Sequence, residues 1–385
     1  MRVGSVSYAV EQGLGRLMKM FYDAHIITDP VIYKHSHWQR KLVKDWYPIK
    51  TPMLEARRSF DLKVVGPVID QVHAMLFFET PFDWDVFRYC KDHGVKTILM
   101  PMYEWFPITP PALPDLFLCP SLLDLAYFKD NPKYQGTEVV FLPVPVNTDH
   151  WKPRTRATKF LHNAGNVGHR EHKGTRQLLE AAKLLKTPLE LTVRAQDASA
   201  LRRIVEGVFG REVAQGGREE LVLDPVNPEF GEGKGPRLTI KYGQIAHADL
   251  WSGYDVYVAP EKFNGLSLPL QEACAAGMVV MTTNRYPMNT WLPSEPLIPV
   301  AGYTKARIGA GYLEFDEATV SPETIAAKMD AWYGRDIREL SQRGYEWAQA
   351  NSWTTLKQLY QEVLTALIEG RPVVQPVLLT GGQTP

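Results

Sequence analysis

The sequence alternates short apolar segments with amphipathic ones, and the alternation begins again after a proline-rich stretch. Residues 1–8 predict a strand, a glycine-containing turn follows at 12–15, and residues 17–24 have the apolar spacing of a helix. The stretch Leu142-Pro-Val-Pro-Val-Asn-Thr-Asp149 is stiffened by proline, and a second strand, loop and helix follow over 159–185. Strands that alternate with helices favour parallel pairing. The pattern therefore predicts two doubly wound α/β domains that face one another across a cleft.

The proline-rich stretch also indicates where one domain ends. We place the boundary at 150–157, so that the first Rossmann-like domain covers 1–152 and the second covers 153–350. An apolar stripe at helical spacing predicts a final helix within 351–369, behind a candidate cap at Ser352. The last 16 residues, Gly370 to Pro385, hold three Pro and three Gly and predict a mobile tail.

Composition excludes several classes of protein. A hydrophobic fraction of 45% is enough for large cores and excludes disorder over the whole length. Lys+Arg and Asp+Glu both number 43, so the net charge gives no global attraction to nucleic acid or an anionic membrane. Cys90, Cys119 and Cys274 show no paired spacing, which argues against a disulfide framework. Since no signal-peptide-like segment or run of 18 apolar residues occurs, we expect a cytoplasmic protein without a transmembrane helix.

The most informative segment runs from Tyr254 to Thr283. A strand predicted at 256–259 enters a polar loop, and Gly265 begins a helix that carries Glu272. The unpaired amides of a first helical turn and the helix dipole favour a phosphate there, and glycine lets the backbone approach it closely. Glu272 follows two turns later, where an acidic residue accepts hydrogen bonds from ribose hydroxyls. The segment therefore predicts a nucleotide site that includes the amides of Leu266 and Ser267.

This segment resembles the donor-site signature of glycosyltransferase family 4, whose members have the GT-B fold of two Rossmann-like domains. Glu272-Ala273 and Gly277 match the second half of the pattern PSxxEGFGxxxxEAxAxG, and Gly265 matches the glycine after its first Glu. Asn264 stands at the position of that first Glu, which the family associates with the transferred sugar. Asparagine can hydrogen-bond a sugar hydroxyl but carries no charge, so the resemblance makes Asn264 a donor-side and catalytic candidate with an altered role.

Further stretches match in the order that the family shows. Gly13 and Gly15 resemble the N-terminal glycine loop that lies against the donor phosphates. Residues 143–149 are similar to the segment that closes the first domain, and residues 345–353 are similar to the terminal region. The resemblance implies that the helix after this region crosses back to the first domain.

The resemblance also implies which cations meet the diphosphate. Lys173 matches the family's diphosphate lysine, whereas Gly168 stands where an arginine is usual, so Arg170 is the candidate substitute. Negative charge develops on the leaving diphosphate during glycosyl transfer, and prearranged positive charge stabilises it. The resemblance therefore implies a nucleoside-diphosphate sugar as co-substrate, with UDP or GDP as the nucleotide, retention of configuration, and no metal or other cofactor.

The acceptor side gives a weaker signal. Carboxylates at the carboxyl ends of first-domain strands point into the cleft, which selects Glu79 and Glu104 as acceptor-side and catalytic candidates. The family often has a His near the end of such a strand, but residues 102–104 lack it. The spacings of the pairs His35/His37 and His169/His172 could suit a metal, but no Cys or carboxylate completes either set.

The sequence leaves the acceptor open among a glycan, a lipid, a protein and a modified DNA base, and it leaves the oligomeric state open. A DNA acceptor would use the basic, aromatic stretch at 33–50 for phosphate and stacking contacts. Two other functions fit the same residues. One is a nucleotide-sugar epimerase or hydrolase, which needs no acceptor, and the other is a catalytically weak nucleotide- or glycan-binding module, which Asn264 permits.

Overall fold

The computed structural model describes residues 1–34, 42–55, 61–165, 171–196, 198–215, 217, 219–243, 245 and 249–378. The first half of this chain forms a seven-stranded sheet. Its strands are β1 (Val3–Ser7), β2 (Asp29–Lys34), β3 (Met53–Glu55), β4 (Ala74–Glu79), β5 (Lys96–Pro101), β6 (Leu116–Cys119) and β7 (Glu138–Phe141). They pair in the order β3-β2-β1-β4-β5-β6-β7, and every pair is parallel. The helices of this half are α1 (Gly13–Asp23), α2 (Leu62–Ile69), α3 (Asp85–Asp92) and α4 (Leu122–Phe128).

The second half forms a six-stranded sheet with the order β10-β11-β9-β8-β12-β13. Its strands are β8 (Lys159–Gly165), β9 (Glu190–Ala195), β10 (Glu220–Leu223), β11 (Arg237–Tyr242), β12 (Val256–Ala259) and β13 (Val279–Thr282). Only β10 runs antiparallel to its neighbour. The helices are α5 (Thr175–Ala182), α6 (Ala198–Phe209), α7 (Arg211–Gln215), α8 (Leu268–Ala275), α9 (Pro322–Trp332), α10 (Arg338–Ala350) and α11 (Trp353–Ile368). The predicted pair of doubly wound parallel sheets is confirmed.

The central strands are buried on both faces because helices cover both sides of each sheet. The first five residues of β4, Ala-Met-Leu-Phe-Phe, are all buried, and so is every residue of β12. Near-continuous apolar runs of this kind are typical of parallel sheets, whereas half-exposed strands alternate apolar and polar residues.

Helix α11 packs against the first sheet although it follows the second one in the chain. Leu356, Tyr360 and Leu364 lie in the core of the first sheet, and Tyr360 Oη donates to the carbonyl of Pro143 at 3.0 Å. The expected return of the last helix to the first domain is therefore present. Ser352 precedes this helix, but its side chain makes no capping hydrogen bond within the described chain.

The tail is held in place as far as residue 378. The Gln375 side chain accepts from the backbone N–H of Phe141 at 2.8 Å and donates to its carbonyl at 2.9 Å. Gln375 thus satisfies the backbone groups of the last residue of β7, the edge strand. The mobility expected for residues 370–385 stays a prediction, and residues 379–385 lie outside the described chain.

A two-stranded antiparallel hairpin links the halves and was not expected from the sequence. It consists of β14 (Gly302–Ala306) and β15 (Phe315–Thr319). Between its strands, Leu313 donates its backbone N–H to Phe106 at 3.0 Å, and Ile108 donates to Gly311 at 2.9 Å. The Leu313 side chain is buried in the core of the first sheet. No helix in the described part of the chain is long and apolar enough to cross a membrane.

Candidate functional site

The loop between β12 and α8 folds on the side chain of Asn264. Its Oδ1 accepts from the backbone N–H groups of Leu266 at 3.1 Å and Ser267 at 2.9 Å. Ser267 has a φ of +43°, so the chain turns sharply before α8 begins. A Cβ on Gly265 would lie 3.2 Å from Ser121 Oγ of the first half, so a larger residue would have to displace that hydroxyl by a few tenths of an ångström. The two amides expected to meet a phosphate are thus hydrogen-bonded to Asn264.

Glu104 connects this loop to the first sheet. Its carboxyl accepts a hydrogen bond from the backbone N–H of Gly265, and it lies close enough to Arg285 to interact electrostatically. Glu104 is 7% exposed. Burial raises the pKa of Glu104, and its backbone N–H, Arg285 and the Gly265 N–H only partly offset this effect. Glu104 therefore lies where the two halves meet.

Lys173 forms a buried ion pair in the second half. Its Nζ donates to Glu261 Oε1 at 2.9 Å, and Glu261 is completely buried. Ser267 Oγ donates to the same oxygen at 2.8 Å, while Arg285 Nη2 lies 3.7 Å from Glu261 Oε2. The Lys173 side chain is 14% exposed. Lys173 and Arg285 thus both form ion pairs with one buried carboxylate.

A tight turn holds Lys173 in this position. Gly174 has a φ of +70°, and a Cβ there would lie 2.2 Å from the carbonyl oxygen of Pro260, so only glycine fits. Glu171 Oε1 accepts from the backbone N–H of Thr175 at 2.6 Å at the start of α5. The Thr175 hydroxyl lies 2.9 Å from His162 Nε2. Burial lowers the pKa of His162 to about 4, so its imidazole is neutral at physiological pH.

The first glycine loop reaches the second half. Gly13 begins α1 and faces open space, whereas a Cβ on Gly15 would lie 2.2 Å from the carbonyl oxygen of Val10. Gln196, just after β9, donates its Nε2 to the carbonyl of Glu11 at 3.0 Å. The loop therefore contacts the second half of the chain.

Glu272 lies in the middle of α8 and is partly buried. It lies near Tyr257 on β12. Burial, together with the Glu261 and Glu272 carboxylates, raises the pKa of Tyr257 well above its usual value. Arg170, the other candidate cation, lies outside the described residues, as do His35, His37 and His169. In the described ranges no group of three His, Cys, Asp or Glu side chains suits a metal ion.

Glu79 ends β4 in a strained backbone conformation. Its φ is +66°, which is uncommon for a residue other than glycine and is typical of functional or tightly constrained sites. Burial and the nearby Glu104 carboxyl raise its pKa to about 8. An aromatic cluster lies beside it, since Tyr8 contacts Glu79 electrostatically and packs its ring edge against Tyr33 and Phe82. The two predicted acceptor-side carboxyls are therefore neighbours.

Sequence reasoning missed three charged residues of this region: Glu261, Arg285 and Asp124. Asp124 is buried on α4, accepts from the backbone N–H of Tyr103 at 2.8 Å and hydrogen-bonds the Ser121 hydroxyl. Burial raises its pKa to about 8, against the effect of these hydrogen bonds. Glu261 follows β12 by two residues, so the rule that selected strand-end carboxylates in the first half would have found it in the second.

Several solved structures share this architecture. Anabaena HepE in complex with UDP superposes with a TM-score of 0.62 at 9% identity, covering 95% of this chain and 100% of HepE. A second HepE structure, with UDP-glucose, gives 0.59 at 10% identity over 95% and 100% of the two chains. Sucrose-phosphate synthase from Thermosynechococcus elongatus gives 0.61 at 14% identity over 95% and 100%.

WaaG, a glycosyltransferase involved in lipopolysaccharide biosynthesis, gives a TM-score of 0.51 at 11% identity over 94% of this chain and 99% of WaaG. The chain has the GT-B fold. No protein-family model matches its sequence, and no curated protein matches it. At these identities the similarity establishes the GT-B architecture, and the chemistry must be argued from the residues in the cleft.

Proposed function

We propose that this GT-B chain transfers a sugar from a nucleoside-diphosphate sugar to an acceptor bound between its two halves. The observation that carries the proposal is Lys173, whose side chain is 14% exposed and is fixed by Glu261 beside the loop that precedes α8. A fixed cation at that position suits a diphosphate leaving group. The UDP and UDP-glucose complexes of HepE support a uridine nucleotide as the first donor to test, with GDP as the other candidate.

Each donor-site residue has a distinct role in this proposal. Lys173 contacts the diphosphate, Glu272 holds the ribose, and the loop with Gly13 and Gly15 lies against the phosphates. Because Asn264 Oδ1 is engaged by two backbone amides, its Nδ2 group is the part that reaches a sugar hydroxyl. We also propose retention of configuration and metal independence, with Lys173 supplying the positive charge at the leaving group, supported by Arg170 as a second cation.

Glu79 and Glu104 face the acceptor in this proposal. Glu79 has a pKa of about 8, so it is mostly protonated at neutral pH and can donate a hydrogen bond to an acceptor hydroxyl. Glu79 becomes a proton acceptor only above about pH 8. The aromatic cluster of Tyr8, Tyr33 and Phe82 beside it favours a glycan among the candidate acceptors, because sugar rings pack on aromatic side chains.

The test is donor binding. Thermal unfolding is measured with UDP, GDP, ADP and their sugars, and the stabilising donor is then titrated into the wild type and Glu272→Ala. We expect Glu272→Ala to bind the donor about tenfold more weakly, since a ribose hydrogen bond to a charged group is lost. Wild-type affinity of this variant for every nucleotide sugar would contradict the ribose role. Turnover of the donor without any acceptor would favour the hydrolase or epimerase instead.

A further inference from the structure

Glu261 is a fixed, completely buried carboxylate at the donor site. Besides the contacts of its side chain, its backbone carbonyl accepts from Thr283 Oγ1 at 2.7 Å and from Arg285 Nε at 3.3 Å. The Arg285 guanidinium also donates to the carbonyl of Asn264 at 2.9 Å. These bonds join the loop after β12 to the loop after β13. The carboxylate therefore has little freedom to move away when an anion enters.

Glu261 is ionised in this setting. Burial alone would raise its pKa, but Lys173 and Arg285 outweigh burial, and the pKa of Glu261 lies below its usual value. Burial lowers the pKa of Arg285, yet an arginine remains charged under all ordinary conditions. Two cations thus flank one buried anion next to the position proposed for the diphosphate, so one of the two positive charges is neutralised before any ligand binds.

We propose that Glu261 weakens the hold of the donor site on anions in proportion to their charge, so that the site prefers the nucleotide sugar to the nucleoside diphosphate left after transfer. This inference rests on the proposed function. Glu261 is then a positioning residue that acts through Lys173 and Arg285. Its ion pairs with them would stabilise the fold and would also favour release of the nucleoside diphosphate after transfer.

The preference follows from electrostatics. The terminal phosphate of a nucleoside diphosphate loses its second proton near pH ~6, so the diphosphate carries about one more negative charge than its sugar ester at pH 8. A fixed anion a few ångströms from the phosphates repels the more highly charged ligand more strongly. Without that anion, both ligands bind more tightly, and the diphosphate gains more. If Glu261 only held Lys173 in place, its loss would weaken the binding of both ligands by the same factor.

Glu261→Gln tests this difference, because the amide oxygen can still accept from Lys173 and Ser267. Dissociation constants for UDP, UDP-glucose and uridine are measured by calorimetry at pH 8 for the wild type and the variant. We expect UDP to bind about tenfold more tightly to the variant, UDP-glucose about threefold more tightly, and uridine unchanged. Product inhibition of sugar transfer by UDP should strengthen by the same factor as UDP binding.

Glu261→Asp is the matched control, since it keeps the negative charge and shortens the side chain. It should retain the wild-type ratio of UDP to UDP-glucose affinities even if both affinities change. Circular dichroism and thermal unfolding establish that each variant is folded. Weaker binding of both ligands to Glu261→Gln, or an unchanged ratio, overturns the inference while leaving the proposed function intact. If no nucleotide or nucleotide sugar binds the wild type, the proposed function fails and the inference fails with it.

Discussion

The two halves of the cleft hold buried carboxyl groups in opposite ways. In the second half, Glu261 is paired with Lys173 and Arg285, and its pKa is lowered although it is completely buried. In the first half, burial and the nearby Glu104 carboxyl raise the pKa values of Glu79 and Asp124 to about 8. Pairing, more than burial, therefore decides which carboxyls are charged at neutral pH.

This difference matches the two ligands that the proposed reaction would bring together. A half with fixed, paired charges is preorganised for a diphosphate and the charge that develops on it. A half with neutral carboxyls instead offers hydrogen-bond donors and acceptors for uncharged hydroxyl groups. Substitutions in either half test this difference, and the largest expected effect lies in the charged half.

The largest effect should come from Lys173→Met, which removes the cation from the charged half and keeps most of its apolar stem. We expect kcat/KM for sugar transfer to fall by about 10²–10³, the usual cost of losing one group that stabilises developing negative charge. Lys159→Met is the control, because Lys159 is a half-exposed lysine at the start of β8 that lies 3.9 Å from Glu190. Equal rates for both variants would exclude Lys173 from the leaving-group site.

A smaller effect should separate the two kinds of carboxyl in stability. Glu261→Gln leaves Lys173 and Arg285 without their anion and should lower the free energy of unfolding at pH 7 by about 2–3 kcal/mol. Glu79→Gln should leave it unchanged or raise it, because the folded protein already holds Glu79 mostly protonated at that pH. Urea unfolding measures both. Similar losses for the two variants would mean that the halves do not differ as described.

The smallest effect is a slope with pH in the uncharged half, at most about 1.4 kcal/mol per pH unit for one titrating group. The pKa of Glu79 rises from 4.5 to about 8 on folding, so between these values the folded state binds more protons than the unfolded state. Its contribution to the free energy of unfolding must therefore decrease as the pH rises from about 4.5 to about 8, and then level off. Urea unfolding at several pH values should show a shallower decrease for Glu79→Gln than for the wild type. An identical slope would place the titration elsewhere.

The sequence predicted the architecture because that information is local. Apolar runs, glycine turns and the stripe of α11 each lie within a few residues, and they sufficed for two parallel sheets and a final helix, whereas the return of that helix to the first domain came from the resemblance. The hairpin β14–β15 was missed because most residues of β14 are exposed, so it has no alternation of apolar and polar residues to read.

The charged half of the cleft could be predicted only in part. Lys173 was found through the resemblance, but its partner Glu261 is 88 residues away, and no local pattern joins the two. Asn264 shows the opposite case. Its side chain accepts from the amides two and three residues later, which forms a local turn that asparagine favours. This role could have been predicted from the sequence, whereas the resemblance suggested contact with the sugar.

The hairpin constrains how the halves can move. The chain passes between them at two places that touch, since Val146 donates its backbone N–H to Asn351 at 2.9 Å. Two adjacent crossings alone would act as a hinge. The hydrogen bonds of Ile108 and Leu313 also attach the tip of the β14–β15 hairpin to the first half, while its strands continue into the second half. This additional connection resists rotation about the hinge. If the cleft opens, either the hydrogen bond between Leu313 and Phe106 must break or the hairpin must bend where it joins the second half.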